Sequence, residues 1–196
     1  MTLEEREKEL RKIKEEVLKC KKCSLCKTRN YPVIGQGNHQ AKIMFVGEAP
    51  GFWEDKTGHP FCGAAGKVLD ELLNSIGLER KEVYITNLLK CRPPQNRDPK
   101  LEEIQACTPY LERQIEIIGP EIICPLGRYS MKFLMEKFGL KNEIQPISKI
   151  HGKIFEVKNL FQGIKIVPLY HPATATYNPK MKETLKKDFQ ILKQFI

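Results

Sequence analysis

Residues 42–51 read KIMFVGEAPG. Ile43 to Val46 are four large apolar side chains in a row, without the polar alternation that a sheet with one wet face imposes. A strand of this kind is buried on both faces, as in a parallel sheet covered by helices. A Gly- and Pro-containing turn comes directly after it. Three more runs share the pattern: VYITN at 83–87, EIICPLG at 121–127 and KIVPLY at 165–170.

Helical patterns separate these runs. AAGKVLDELLNSIG (64–77) places Val68, Leu69, Leu72, Leu73 and Ile76 on one face, with Gly77 as the stop. DPKLEEIQACTPYLERQIEIIG (98–119) opens with Asp98 as N-cap and Pro99 at the first helical position, and Pro109 is expected to kink or interrupt it. GRYSMKFLMEKFG (127–139) predicts a shorter helix, and NPKMKETLKKDFQILKQFI (178–196) a last one. Strand–helix alternation implies right-handed βαβ units. The expected fold is α/β, a three-layer α/β/α sandwich around a central, mainly parallel four-stranded sheet. The segment KIHGKIFEVKNLFQGIKIVPLYHP (149–172) is expected to add a short antiparallel strand before the last parallel one. By length the chain, 1–196, is one domain, with the N-terminal helix and the cysteine-bearing loops 20–26 and 91–107 as integral parts.

Polar or Gly/Pro chemistry lies just past the strands: GEAPGFWED, NLLKCRPP, GRYS and HPATATYNP. Open α/β sheets bind ligands beyond the carboxyl ends of their strands, so the site belongs at that edge.

The first twenty residues form a charged helix striped by Leu3, Leu10, Ile13, Val17 and Leu18 rather than a signal peptide. No apolar run approaches a membrane span. A cytoplasmic setting is therefore expected. There, seven cysteines argue for metal or cluster ligation rather than disulfides. The net charge of +9 favours a polyanionic partner, and the 29% of charged residues, rich in Lys and Glu, fits a thermophile.

Cys20 and Cys23 form a CxxC pair, with Cys26 close behind, and Cys91 and Cys107 form a wider pair. Four thiolates suit tetrahedral zinc or an iron–sulfur cluster, and spacing does not separate the two. The wide second pair, spanning a loop rich in Pro, Asn and Arg, favours the bulkier centre. Cys26 is the rival for one ligand position. Cys62, and Cys124 within an apolar run, read as ordinary thiols.

GEAPG, GHPFCGAAG (58–66), TNLLKCRPPQNR (86–97), LG (126–127) and HPA (171–173) occur in this order, together with the cysteines. The combination resembles the family 4 uracil-DNA glycosylases, iron–sulfur enzymes of thermophilic bacteria and archaea, from Cys20 to about Pro179. The resemblance implies a monofunctional glycosylase that extrudes uracil from DNA, hydrolyses its N-glycosidic bond and so initiates base excision repair. It also implies a [4Fe-4S] cluster on Cys20, Cys23, Cys91 and Cys107, which orders loops rather than carrying electrons.

The same resemblance implies roles for the site residues. Phe61 stacks on the pyrimidine, an interaction worth about 1–3 kcal/mol per base. Asn87 accepts from uracil N3–H and donates to O4, a polarity cytosine reverses. His171 faces O2, where negative charge grows; a preorganised donor there contributes about 2.7–4 kcal/mol. The backbone from Gly47 to Gly51 lies against the base or a phosphate. Better-known uracil glycosylases carry an Asp in this turn where Ala49 stands here, so Glu48 is expected to position water or stabilise the sugar cation. Glu54 and Asp55 read as solvated. Lys90, Arg92, Arg97 and Arg128 are candidate DNA-backbone partners. Pro172, Ala173 and Thr174 are candidates for the wedge that supports the extruded nucleotide.

The expected partner is uracil-containing DNA, single- or double-stranded, and the expected state a monomer. A sliding clamp finds no support, since DFQILKQFI reads as a packed helix rather than a docking peptide. Two rival readings stand. One is a superfamily relative acting on other deaminated bases or capturing DNA covalently; the capture type carries a basic, His-containing insertion absent between GFWEDKTG and HPFCG. The other is a non-catalytic, metal-bearing nucleic-acid module, for example one attached to a polymerase. It accounts for the charge and the cysteines but not for Asn87 and His171 at two strand ends.

Overall fold

Ile43 and Phe45 pack on one side of the sheet and Met44 and Val46 on the other, so the opening run is dry on both faces. This is strand β2 (Ile43–Gly47) of a computed structural model that describes residues 1–157 and 163–196. Strand β3 (Tyr84–Asn87) lies parallel on one flank of β2, and β4 (Ile122–Pro125) then β6 (Lys165–Ile166) lie parallel on the other. Two short antiparallel strands close the edges, β1 (Gln36–Gly37) beside β3 and β5 (Phe155–Glu156) beside β6.

The sheet thus has six strands rather than four, in the order β1-β3-β2-β4-β6-β5. The four parallel strands are those the sequence predicts. β5 is the expected antiparallel addition, although residues 158–162 of that segment lie outside the described residues. β1 is the unforeseen one: a two-residue Gln-Gly strand has no apolar run to announce it. β6 is only two residues long, and Pro168 beyond it has no N–H to give on the side away from β4. The chain nevertheless keeps its course. The Leu169 N–H donates to the Pro125 carbonyl at 2.9 Å and its carbonyl accepts from the Gly127 N–H at 2.9 Å, which delivers His171 to the carboxyl edge.

Helices cover both faces, giving the three layers. α1 (Leu3–Lys19), α4 (Leu101–Ile118) and α5 (Arg128–Lys137) cover one, through Leu10, Ile13, Val17, Leu111, Ile115 and Leu134. α3 (Ala64–Ser75) and α8 (Lys180–Gln190) cover the other, where Phe189 stacks on Phe45 at 5.6 Å between centroids. The stop after α3 is as expected: Gly77 sits at φ +82°, left-handed backbone that glycine adopts freely. Leu185, Phe189 and Leu192 are fully buried, so the C-terminal residues pack as a helix. Short helices α2 (Phe52–Thr57), α6 (Ile147–Ile150) and α7 (Thr174–Tyr177) sit in the connections. Among the described residues, no helix is long and apolar enough to cross a membrane.

Two helix expectations are corrected. α4 starts at Leu101, not at Pro99, because Asp98 is drawn to Arg128 at 2.7 Å while the Glu103 carboxylate accepts the Lys100 N–H at 2.9 Å. Nor is α4 interrupted at Pro109. Pro109 lies on the solvent face, where water replaces the missing backbone bond.

Candidate active site and thiol pocket

The segments after β2, β3 and β6 meet with the loop before α3 around a cavity of about 300 Å³. Glu48, Phe61, Asn87 and His171 line it together, with Arg97 and Ala173 at its margin. Gly47 and Asn87 are register partners across β2 and β3, so the two strand ends present them side by side. A Cβ on Gly47 would fall 2.3 Å from Asn87 Oδ1 and 2.8 Å from the Phe61 ring, so only glycine fits. Asn87 is 2% exposed, and its Oδ1 has no hydrogen-bond partner among the described residues. A buried acceptor left unpaired costs about 1–3 kcal/mol. A ligand N–H entering the cavity could pair this atom.

Phe61 is buried and holds φ at +51°, where a side chain is strained. Its ring stacks on the His171 imidazole at 5.5 Å with planes 26° apart. The strained turn is clamped from behind. Arg80 donates to the Pro60 carbonyl at 3.0 Å and to the Phe61 carbonyl, and Asp70 holds the guanidinium. Gly66 leaves room for the Phe61 carbonyl, since a Cβ there would stand 1.7 Å away. Sequence reading missed Arg80 and Asp70, which carry no motif and lie far along the chain from the turn they hold.

His171 Nδ1 accepts the Ala173 N–H at 3.2 Å, which places the ring proton on Nε2. Burial pushes its pKa down to about 4, against a weaker opposing pull from the Glu54 carboxylate. The ring is therefore a neutral donor at pH 7. Glu48 is half-buried, and burial raises its pKa; the Asp98 carboxylate adds to the rise and Arg128 opposes it. Ala49 packs toward Leu25, Leu89 and Cys91.

Several expectations change. Glu54 and Asp55 are not solvated: Glu54 Oε1 accepts the Cys62 and Gly63 N–H groups, both at 3.0 Å, and buried Asp55 accepts the Asn30 N–H at 3.0 Å. Lys90 is not free for DNA. It is 1% exposed, and its Nζ donates to Thr86 Oγ1 at 2.7 Å, the Asn87 carbonyl at 2.9 Å and Gln114 Oε1 at 2.7 Å. Arg97 is held by both oxygens of the buried Glu103, at 2.5 and 2.9 Å. Arg128 pairs with Asp98 on the surface. Arg92 donates to Oδ1 of the cavity-lining Asn96 at 2.7 Å. Pro172 is buried, while Ala173 and Thr174 are half-buried where α7 begins, and Thr174 Oγ1 donates to the His171 carbonyl at 2.8 Å.

On the far side of residues 87–91 lies a second pocket. Cys20, Cys23, Cys26, Cys91 and Cys107 all line it, with Val17, Leu25 and Tyr110 as apolar walls. Two donors already point at sulfur: Arg29 Nη1 reaches Cys91 Sγ at 3.2 Å and the Lys90 N–H reaches Cys107 Sγ at 3.2 Å. Burial raises the pKa of Cys23, of Cys91 and of Cys107, the last to about 11. Among the described residues, no three His, Cys, Asp or Glu side chains form a group that would hold a single metal ion. Soft thiol donors in an apolar pocket with N–H groups aimed at sulfur do suit an iron–sulfur centre. Cys62 is exposed and Cys124 is buried within β4, so neither joins this pocket.

A family model described as the uracil DNA glycosylase superfamily matches residues 34–193. The chain is 52% identical to the type-4 uracil-DNA glycosylase of Sulfurisphaera tokodaii, over 94% of this chain and 84% of that protein. It is 50% identical to the type-4 uracil-DNA glycosylase of Archaeoglobus fulgidus, over 89% and 87%. With the one from Thermotoga maritima the identity is 40%, over 97% and 96%. On these matches, and with the strand-end cavity and the thiol pocket in place, the chain belongs to the uracil DNA glycosylase superfamily and, within it, to the type-4 uracil-DNA glycosylases.

Proposed function

We propose that this chain excises uracil extruded from DNA, leaving an abasic site. The observation that carries the reading is the unpaired Asn87 Oδ1 at the back of the cavity. Uracil N3–H supplies the missing donor, and the Asn87 amide then donates to O4. Cytosine presents an acceptor at N3 and a donor at N4, so it would leave both amide atoms unpaired. Phe61 stacks on the base, and Gly47 lets it approach the backbone.

Excision breaks the bond between C1′ and N1, and the electron pair leaves with the base. The neutral His171 donates from Nε2–H to O2, where that charge gathers, a contribution of about 2.7–4 kcal/mol. Glu48, as carboxylate, orients the water whose oxygen bonds to C1′ and accepts its proton. Arg92 remains a candidate for a backbone phosphate, and Arg128 becomes one only on giving up its pair with Asp98. Ala173 and Thr174 remain wedge candidates at the start of α7.

Cys20, Cys23, Cys91 and Cys107 would hold a [4Fe-4S] cluster, with Cys26 beside them. Such a cluster supplies cross-linking, since hydrolysis of a glycosidic bond has no electron step. The chain's own Arg29 and Lys90 N–H groups would meet its sulfurs. The working setting is the cytoplasm, and the working unit a monomer.

The test is an end-labelled oligonucleotide with one uracil, treated with alkali after incubation. Cleavage with uracil alone, and not with matched thymine or cytosine strands, supports the reading. No cleavage by iron-loaded protein that still binds the DNA would overturn it.

A further inference from the structure

Among the described residues, four aromatic side chains are largely exposed: Tyr31, Phe52, Trp53 and Tyr177. None lies at random. Phe52 and Trp53 open α2, directly after the cavity-lining Gly51, and their rings meet edge to face at 5.2 Å. Tyr31 abuts the far end of the same helix, its N–H donating to the Asp55 carbonyl at 2.9 Å. Tyr177 ends α7, three residues beyond the wedge candidates.

Cations interleave with the α2 group. Lys56 Nζ stands 4.9 Å, and the Arg92 guanidinium 5.2 Å, from the centre of the Phe52 ring. Arg97 and Arg128 are held by Glu103 and Asp98, whereas Lys56 and Arg92 make no ion pair among the described residues. Exposed rings with unpaired cations beside them suit a single strand of nucleic acid: every base offers a face to stack on, and phosphates lie between bases. Excess positive charge, +9 on the chain, favours the same partner.

We propose that Phe52 and Trp53, with Lys56 and Arg92, form a stacking subsite for unpaired bases of the strand next to the extruded uracil, so that the enzyme grips single-stranded DNA on the α2 side of its cavity. The inference rests on the excision reading of that cavity.

Trp53 is the only tryptophan in the chain, so its emission reports this subsite without labelling. The probe is a short single-stranded oligonucleotide with a central 2′-fluoro-2′-deoxyuridine, whose glycosidic bond resists hydrolysis. Binding is followed in parallel by anisotropy. Expected are quenching that saturates with the anisotropy change, and no quenching by free uracil, which fills the cavity alone. Trp53→Ala should weaken Kd for this strand roughly tenfold, and Trp53→Phe should restore most of it. Emission that stays unchanged while DNA saturates, or Trp53→Ala binding the single strand as tightly as the native chain, overturns the subsite. An excision assay of the same protein preparations on the matching unmodified deoxyuridine strand keeps the two readings apart. Excision without quenching removes the subsite and leaves the cavity reading standing. Quenching without excision does the reverse.

Discussion

Residues 87–91 separate two pockets that are held up in opposite ways. Asn87, at one end, faces the base cavity; Cys91, at the other, faces the thiols. The base cavity is complete in the chain's own atoms, with Phe61, Arg80, Gly66 and the Ala173 N–H fixing its walls and its proton. The thiol pocket gathers five cysteines, and burial raises the pKa of Cys23, Cys91 and Cys107, so a cluster of the kind proposed above would have to displace protons to bind them. One pocket is built from a rigid frame; the other, on that proposal, would draw its cohesion from a guest.

The largest effect should come from the thiol side. Cys91→Ala or Cys107→Ala should abolish the visible absorbance of bound iron and remove a cross-link between α1 and α4, with the melting temperature falling together with activity. A variant that loses iron but keeps native melting and excision would erase the contrast. Next come His171→Ala and Asn87→Ala, each lowering single-turnover excision by about 10²–10³-fold. The melting temperature of Asn87→Ala should stay near the native value, because its Oδ1 has no partner to lose among the described residues. Gly47→Ala should reduce excision about tenfold or more, since the new Cβ displaces Asn87 Oδ1 and the Phe61 ring, at the 1–3 kcal/mol scale of an overpacked site. Cytosine excision should not appear in exchange.

Two pH dependences sharpen the same comparison with smaller effects. Glu48 has a raised pKa, so if its carboxylate form does the work proposed above, the excision rate should fall on the acid side earlier than an ordinary glutamate would allow. Glu48→Gln should flatten that limb, and a rate within about twofold of native at neutral pH would remove Glu48 from the mechanism. His171 acts on stability. Its folded pKa is depressed from the usual 6.5 to about 4, so its contribution is fully present above 6.5 and is lost as pH falls from 6.5 toward 4. A melting-temperature profile should lose that decline in His171→Asn.

The parallel strands were readable because burial on both faces leaves an unbroken apolar run, and topology brings the turns after these runs to one edge of the sheet. That Asn87 and His171 would meet at one cavity was readable for that reason. Lys90 was misread because the three acceptors that hold it come from Thr86 and Asn87 on β3 and from Gln114 on α4, a helix farther along the chain. Arg80 was missed likewise: its role is defined by two backbone carbonyls nineteen and twenty residues away, which leave no spacing signal. β1 needed the edge of β3 to exist before two residues could pair with it. Local chemistry reads from local sequence; contacts made by single residues at long range do not.

The unpaired Asn87 Oδ1 has one more consequence, for turnover. The atom is satisfied by the N3–H of uracil whether or not the base is still joined to its sugar. Cleavage therefore does not cancel the attraction that selected the substrate, and the freed base keeps its stacking on Phe61 as well. With Asn87 and Phe61 in the roles proposed above, free uracil should compete with the substrate strand for the cavity, and the contact that selects the base would also hold the product.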